Sequence, residues 1–253
     1  MTVVAVLADP PRPGLVLSEL AETSPLTEAE AAELYAALLK DTVSAIERSG
    51  GELLVNYRSE EMLPDEYAGT GDADAEAEVR AVVADALEEP SGARYEVQVG
   101  SSFSARAGNT ATHLLREEGV QSVAVVRGTA PFLLRSTVDS AAMKLRTNPV
   151  VLGPSAEGRT YYAGFSEPID YAGAFETPEV ETLVARANEA GSDVGFLPMQ
   201  PSVERGSDLL SVVPMVRARW QADRIVPAHT AAFVVDHGLR VAAEDGTPTL
   251  RRE

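Results

Sequence analysis

Residues 2–8 read TVVAVLA, residues 9–14 read DPPRPG and residues 52–57 read ELLVNY, with a helical pattern between them. The first and last are short, largely apolar runs, and each reads as a buried strand. A Pro/Gly-rich loop breaks the chain after the first. The intervening helix is predicted to start near Thr27, where Thr27 and Glu30 have the spacing of a capping box. Leu34, Tyr35, Leu38, Leu39, Thr42, Val43 and Ile46 then recur at helical spacing, and Gly50-Gly51 stops the pattern.

The same alternation continues outward. An acidic loop is predicted over 59–74, a helix over 75–87, a half-exposed strand over 94–99 and a helix over 110–118. SVAVV at 122–126 is another buried strand. It is followed by a helix near 137–145 and short strands at 149–152 and 161–165. Helices over 179–190, 207–220 and 227–237 and a short polar tail complete the chain. Strands alternating with helices of about a dozen residues imply a mostly parallel sheet covered on both faces. The expected class is therefore α/β, a three-layer sandwich with a Rossmann-like central sheet. No linker divides the 253 residues, so one domain is expected. Its core would run over about 1–210, with a helical extension over 211–238 and the tail over 239–253.

The chain carries 39 Asp+Glu against 21 Lys+Arg, a net charge of −18, and 45% of it is hydrophobic. That apolar share predicts a folded chain rather than a disordered acidic one. Nucleic acid is excluded as an expected partner, because a duplex backbone demands a basic face. Nineteen of the basic residues are Arg and only Lys40 and Lys144 are Lys. An acidic, lysine-poor surface suits molar salt, where screening acts within about 3 Å, so a halophilic protein is expected. The absence of Cys removes disulfides, thiolate zinc sites and thiol nucleophiles. No apolar run approaches the length of a bilayer span, and the N-terminus lacks the basic flank of a signal peptide. A cytoplasmic protein without a membrane partner is the expectation. The oligomeric state is not readable, although Trp220 on the C-terminal helices is a candidate interface residue.

The common motifs are missing. There is no G-x-G-x-x-G, no G-x-x-x-x-G-K-[ST] and no G-x-S-x-G. His229 and His237 lie two helical turns apart, too far to share a metal. Asp72-Ala73-Asp74 sits in an acidic, Ala-rich stretch and reads as a solvated run.

In folds of this class ligands sit beyond the carboxyl ends of the strands, which directs attention to the loops there. Their text is Pro11-Arg12-Pro13-Gly14-Leu15-Val16-Leu17-Ser18-Glu19-Leu20, with Ala31-Ala32-Glu33-Leu34-Tyr35 and Asp41-Thr42 on the following helix. Then come Gln98, Gly100 and Arg106, and Arg127-Gly128-Thr129-Ala130-Pro131 closing the strand SVAVV. Val151-Leu152-Gly153-Pro154 is followed by Glu157-Gly158-Arg159-Thr160-Tyr161, and Leu197-Pro198 by Ser202-Val203-Glu204-Arg205 and Asp208-Leu209. In order and spacing, over roughly residues 3–210, these segments resemble the GT-A-like nucleotide-diphospho-sugar transferases. The resemblance is to their uncharacterised glycosyltransferase-like branch, related to the phospholactate guanylyltransferases.

The resemblance implies a GT-A type fold and a nucleotide or nucleotide-sugar as small-molecule partner. It places the nucleotide against Pro13, Gly14, Arg106, Arg127, Gly128, Thr129, Gly153, Pro154, Gly158 and Arg159. It also implies Mg²⁺ or Mn²⁺, for which Glu157, Glu204 and Asp208 are the carboxylates this chain offers. The departures argue against that metal and against efficient transfer. The family's Lys-Thr-Arg is Leu17-Ser18-Glu19 here, its strand-end Asp is Thr129, and its later Asp pair is Ser202 and Glu204. A neutral hydroxyl is a poor ligand for Mg²⁺, and phosphoryl transfer depends on metal and cation clamps. Three readings follow: a transferase homologue with a degenerate site, an active transferase with a rebuilt Arg/Glu site, or a non-enzymatic binding or assembly module. Convergence of Arg12, Arg106, Arg127 and Arg159 with Glu204 or Asp208 on one cleft would indicate a ligand site. A cleft filled by Phe132, Tyr161 and Tyr162 would be core.

Overall fold

The structure, a computed structural model, describes residues 1–252. Strands β1 (Thr2–Ala8), β2 (Glu52–Tyr57), β3 (Arg94–Val97), β4 (Ser122–Arg127), β5 (Val150–Pro154), β6 (Thr160–Phe165) and β7 (Val194–Phe196) form one sheet in the order β3-β2-β1-β4-β6-β5-β7. All pairs are parallel except those made by β6, which runs antiparallel to β4 and β5. The sheet is thus the mostly parallel one that the alternation predicts.

Period-two alternation sorts β1 between two cores. Val4, Val6 and Ala8 pack with Tyr35, Leu39 and Val43 of α2 (Glu28–Glu47) and with α3 (Ala75–Ala84) and α5 (Arg135–Lys144). Val3, Ala5 and Leu7 pack on the other face with Ala107, Ala111 and Leu114 of α4 (Phe103–Arg116) and with α6 (Glu179–Glu189). Helix α2 begins at the predicted capping box: Thr27 Oγ1 accepts from the Glu30 backbone N–H, and Glu30 accepts from the Thr27 N–H. Its outer face carries a third core. Leu34 and Leu38 meet Leu20 of α1 (Ser18–Thr23), Leu209 and Val213 of α7 (Gly206–Gln221) and Phe233 of α8 (Ala228–Asp236).

Two expectations are corrected, and two elements are added. The tail over 239–253 is a β-hairpin, β8 (Leu239–Glu244) and β9 (Thr247–Arg252). Its turn is Asp245-Gly246, both with positive φ (49° and 81°), the backbone that a tight hairpin turn requires. Helix α4 starts at Phe103 rather than near Thr110, because the Ser102 hydroxyl accepts from the Ala105 N–H and caps it. Strand β7 and helix α1 are additional elements, both too short to show periodicity.

Asp41, half of the Asp-Thr pair noted in the sequence, has a structural role. Its carboxylate accepts from the backbone N–H groups of His229 (3.0 Å) and Thr230 (2.8 Å) and from the Thr230 hydroxyl (2.7 Å). It caps α8 from another helix, where Pro227 supplies no side-chain cap. Asp41→Ala is expected to cost about 1–2 kcal/mol, the usual value of a lost N-cap, read as a lower urea midpoint. An unchanged midpoint would mean that packing alone holds α8.

Candidate functional site

The chain leaves β1 toward β2 and β3 on one side, whereas β4 lies on the other. The loops after β1 and β4 therefore separate, and the crevice between them is the topological switch point of the sheet. A cleft of about 180 Å³ opens there. Asp9, Tyr35, Phe103, Arg127, Thr129 and Glu204 supply its polar and aromatic lining, and Leu15, Val16 and Leu17 form an apolar edge.

The backbone of β1 ends with the Asp9 N–H donating to the Tyr35 hydroxyl at 3.0 Å. The Asp9 carboxylate is ion-paired with Arg58 at 2.8 Å. Burial pushes its carboxyl above the usual range, against the pull of Arg58 and Arg106. At the end of β4 the Arg127 guanidinium lies 3.8 Å from the Phe103 ring centroid. It pairs with Glu179 and stands 3.6 Å from Glu204. Glu179 is itself buried and fixed by the Thr160 N–H (2.9 Å) and hydroxyl (2.7 Å). Gly128 lets the loop approach α2, since a Cβ there would sit 2.9 Å from Leu39 Cδ1. Thr129 is only 6% exposed; its carbonyl accepts from the Val203 N–H at 2.9 Å, and its hydroxyl has no partner within the chain.

Arg159 forms a second centre beside the cleft. Its side chain is almost fully buried and bidentate on Asp208, at 2.9 and 2.6 Å. Glu204 and Glu157 approach the same guanidinium at 3.7 and 4.0 Å. Asp208 also accepts from the backbone N–H groups of Glu204 and Arg205. Burial would raise its pKa, but the Arg159 fork and those two N–H donors outweigh burial and hold its carboxyl below the usual range. Glu157, at φ 58°, turns out to pair with Arg205 at 2.7 Å.

The three carboxylates considered for Mg²⁺ or Mn²⁺ thus converge, but around a guanidinium. They do not fit a divalent ion: Arg159 already stands at their focus, and the adjacent strand-end residue is the neutral Thr129. Among the described residues no cluster of three His, Asp or Glu is arranged to hold a metal.

The remaining expected site residues divide. Arg127, Gly128 and Thr129 line the cleft, and Arg106 stands beside it near Asp9, Arg58 and Arg127. Pro13 is exposed, and Gly14 (φ 76°) is covered by Tyr67, whose hydroxyl donates to the Gly14 carbonyl at 3.1 Å; neither lines the cleft. Gly153 makes room for the Tyr161 ring, 2.6 Å from where a Cβ would lie, and Gly158 (φ 73°) lies against Pro178. Pro154 ends β5, where its carbonyl accepts from the Gln200 N–H. Arg12 is turned away from the cleft altogether, held by Glu60 and Glu78. Phe132, Tyr161 and Tyr162 are buried in the cores and leave the cleft open. Sequence reasoning missed Asp9, Phe103 and Glu179. Asp9 directly follows a buried strand, which was a usable signal; a buried Glu on an amphipathic helix gives none.

No protein-family model and no curated protein sequence matches this chain. Solved structures do match in shape. A protein described as a nucleotide-diphospho-sugar transferase, from Desulfovibrio desulfuricans G20, superposes with a TM-score of 0.72 at 19% identity, over 93% of this chain and 94% of that one. A cytidylyltransferase from Leptospira borgpetersenii gives 0.52 at 8% identity over 93% and 94%. A nucleotidyl transferase from Methanothermobacter gives 0.51 at 15% identity over 88% and 98%. At such identities the likeness is one of fold: this chain has the α/β fold of the nucleotidyl- and nucleotide-sugar-transferase structures, and its cleft lies at the switch point of that fold.

Proposed function

We propose that this chain is a homologue of the nucleotidyl and nucleotide-sugar transferases that keeps a ligand cleft and lacks metal-assisted transfer. The carrying observation is Arg159, whose guanidinium stands amid Asp208, Glu204 and Glu157. An internal cation bound this way neutralises the carboxylates that would otherwise hold Mg²⁺, and it is too buried to touch substrate. The loop after β1 supports the same reading. It offers Leu17 and Glu19 in place of phosphate-binding cations, and Glu19 is paired with Arg205 at 3.1 Å. A nucleoside triphosphate would meet Glu19, Glu157 and Glu204 with no metal to offset them, whereas transfer needs that charge neutralised. The alternative of an active transferase with a rebuilt site rests on Arg106 and Arg127 near the cleft.

The test is calorimetry of GTP, CTP and UDP-sugars with and without Mg²⁺, in molar KCl, together with a pyrophosphate-release assay. The expected result is no Mg²⁺-dependent binding in the micromolar range and no release. Micromolar Mg²⁺-dependent binding or turnover refutes this reading and establishes the rebuilt transferase.

A further inference from the structure

The hairpin of β8 and β9 is a two-stranded sheet of its own, and among the described residues no other strand pairs with it. Asp245 and Gly246 form its two-residue turn, so Glu244 and Thr247 flank that turn as a hydrogen-bonded pair. Alternation then aims the backbone groups of Glu244, Ala242 and Arg240 at β9, and those of Ala243, Val241 and Leu239 away from it. The Leu239 carbonyl agrees with this phase, since it accepts from Arg217 of α7 at 3.2 Å. Among the described residues no hydrogen bond takes up the outward N–H and C=O groups of Val241 and Ala243. The outer edge of β9 is different. Its outward positions include Pro248, which has no N–H, and Arg252, which is held by Glu30 and the Pro25 carbonyl. Such devices blunt an edge, whereas β8 has neither a Pro nor a bulge along its register.

The text of β8, Leu239-Arg240-Val241-Ala242-Ala243-Glu244, is complementary to itself. Two copies paired antiparallel about Ala242 set Val241 of one opposite Ala243 of the other. Both are outward-pointing residues, so each such pair exchanges two backbone hydrogen bonds. The same register sets Arg240 opposite Glu244 on both sides of the axis, and opposite charges that face each other across strands stabilise the pairing. Glu244 also meets Arg251 of its own hairpin and then lies between two guanidinium groups. Ala242 faces its own mate, where a small side chain fits. A shift of one residue would set outward groups against inward ones. The surroundings suit the same occupant. Residues 211–253 hold six Arg and five Asp+Glu, whereas residues 1–210 hold 15 Lys+Arg and 34 Asp+Glu. In a chain of net charge −18 this is the region where a second copy meets the least repulsion. Beside the start of β8 lies a groove of about 280 Å³ lined by Val216, Arg217, Trp220, Val234, Val235 and Gly238. Trp220, the candidate interface residue of the sequence, and Val235 are each 58% exposed there, and exposed apolar patches of this kind mark association surfaces.

We propose that the C-terminal hairpin and the groove beside it form a two-fold interface with a second copy of this chain. The two β8 strands join the hairpins into one four-stranded antiparallel sheet, and Trp220 of each copy is covered. The inference is independent of what the cleft at the ends of β1 and β4 binds.

The experiment is sedimentation velocity of the full chain over a concentration series, at the lowest KCl concentration that keeps the fold, with tryptophan emission followed in parallel. Trp220 is the only tryptophan, so the emission reports this face alone. A dimer of twice 26.8 kDa is expected at micromolar concentration, with a blue shift of the emission as it forms. Ala243→Pro removes an outward N–H that β9 does not use, and is expected to leave a folded monomer. Arg240→Glu sets like charges opposite each other at both ends of the pairing and is expected to weaken the dimer about tenfold or more. Adding Glu244→Arg exchanges the two charges and is expected to restore most of the affinity, which a loss of folding would not allow. The proposal is overturned if the wild type stays monomeric throughout the series, which leaves the edge to a foreign strand or to solvent. It is overturned equally if the dimer forms unchanged in both Ala243→Pro and Arg240→Glu, which places the interface elsewhere, or if the charge exchange restores nothing.

Discussion

Arg159→Met is expected to lower the unfolding free energy by about 3–5 kcal/mol, the usual cost of leaving one member of a buried ion pair alone. Asp208 is as buried as Arg159, and its two oxygens take both forks of the guanidinium. Methionine fills the stem's volume but leaves that carboxylate facing Glu204 and Glu157 with only two backbone N–H donors. Total stabilities of domains are commonly about 5–15 kcal/mol, so the variant stands near the edge of folding. The double variant Arg159→Met/Asp208→Leu removes both charges and is expected to recover most of the loss. Urea denaturation of the single and double variants checks this. The same single variant also tests the role assigned to the guanidinium. With the cation gone, Mn²⁺ is expected to raise the melting temperature of Arg159→Met more than that of the wild type, because only in the variant is the converging Asp208, Glu204 and Glu157 cluster without its internal cation. A loss below about 1 kcal/mol, within the range of ordinary surface pairs, would deny that this pair anchors the site.

These contacts define what a sequence discloses. Local signals were legible. The β-branched text of β1 and β4, the Thr27/Glu30 capping box and the Gly50-Gly51 stop gave the βαβ layout and a mostly parallel sheet. The strand-end rule then located Arg127, Gly128 and Thr129 in the cleft without any contact information. The hairpin at 239–252 went unread because its residues are mostly exposed and polar, although Asp245-Gly246 between two runs of six was a usable turn signal. Pairings across long separations were illegible in principle. Nothing in the text couples Arg12 to Glu60 and Glu78, 48 and 66 residues away, or Arg159 to Asp208, 49 residues away. An Arg in a loop at the ligand end and an Arg inside a protein staple look alike until the fold decides which carboxylate each one meets.

Arg12 is the clearest case, and its removal is the other change with a large expected effect. The side chain is 3% exposed. Its guanidinium donates to both oxygens of Glu60 (2.7 and 2.9 Å), to Glu78 (3.0 Å) and to the carbonyls of Tyr67 (2.7 Å) and Ala73 (3.1 Å). One cation thereby ties the loop after β1 to the acidic segment between β2 and α3, which has no sheet or long helix of its own. Glu60 in turn accepts from the backbone N–H groups of Gly69 and Ala75. Arg12→Ala strands two carboxylates and two carbonyls, and the expected loss is about 2–4 kcal/mol, below the Arg159 figure because Glu60 is 31% exposed to water. The pH dependence identifies the cause. The Arg12 fork, first, and the Gly69 N–H hold the Glu60 carboxyl down to about 2, against an ordinary value of 4.5. A carboxyl depressed in the folded state binds its proton more readily when unfolded, so it adds stability above about pH 4.5 and loses it as the pH falls toward 2. Urea midpoints of the wild type are therefore expected to fall through that window, and those of Arg12→Ala to fall less steeply, since the variant has already lost what acid would remove. Parallel pH profiles for the two proteins would show that the staple contributes nothing through Glu60.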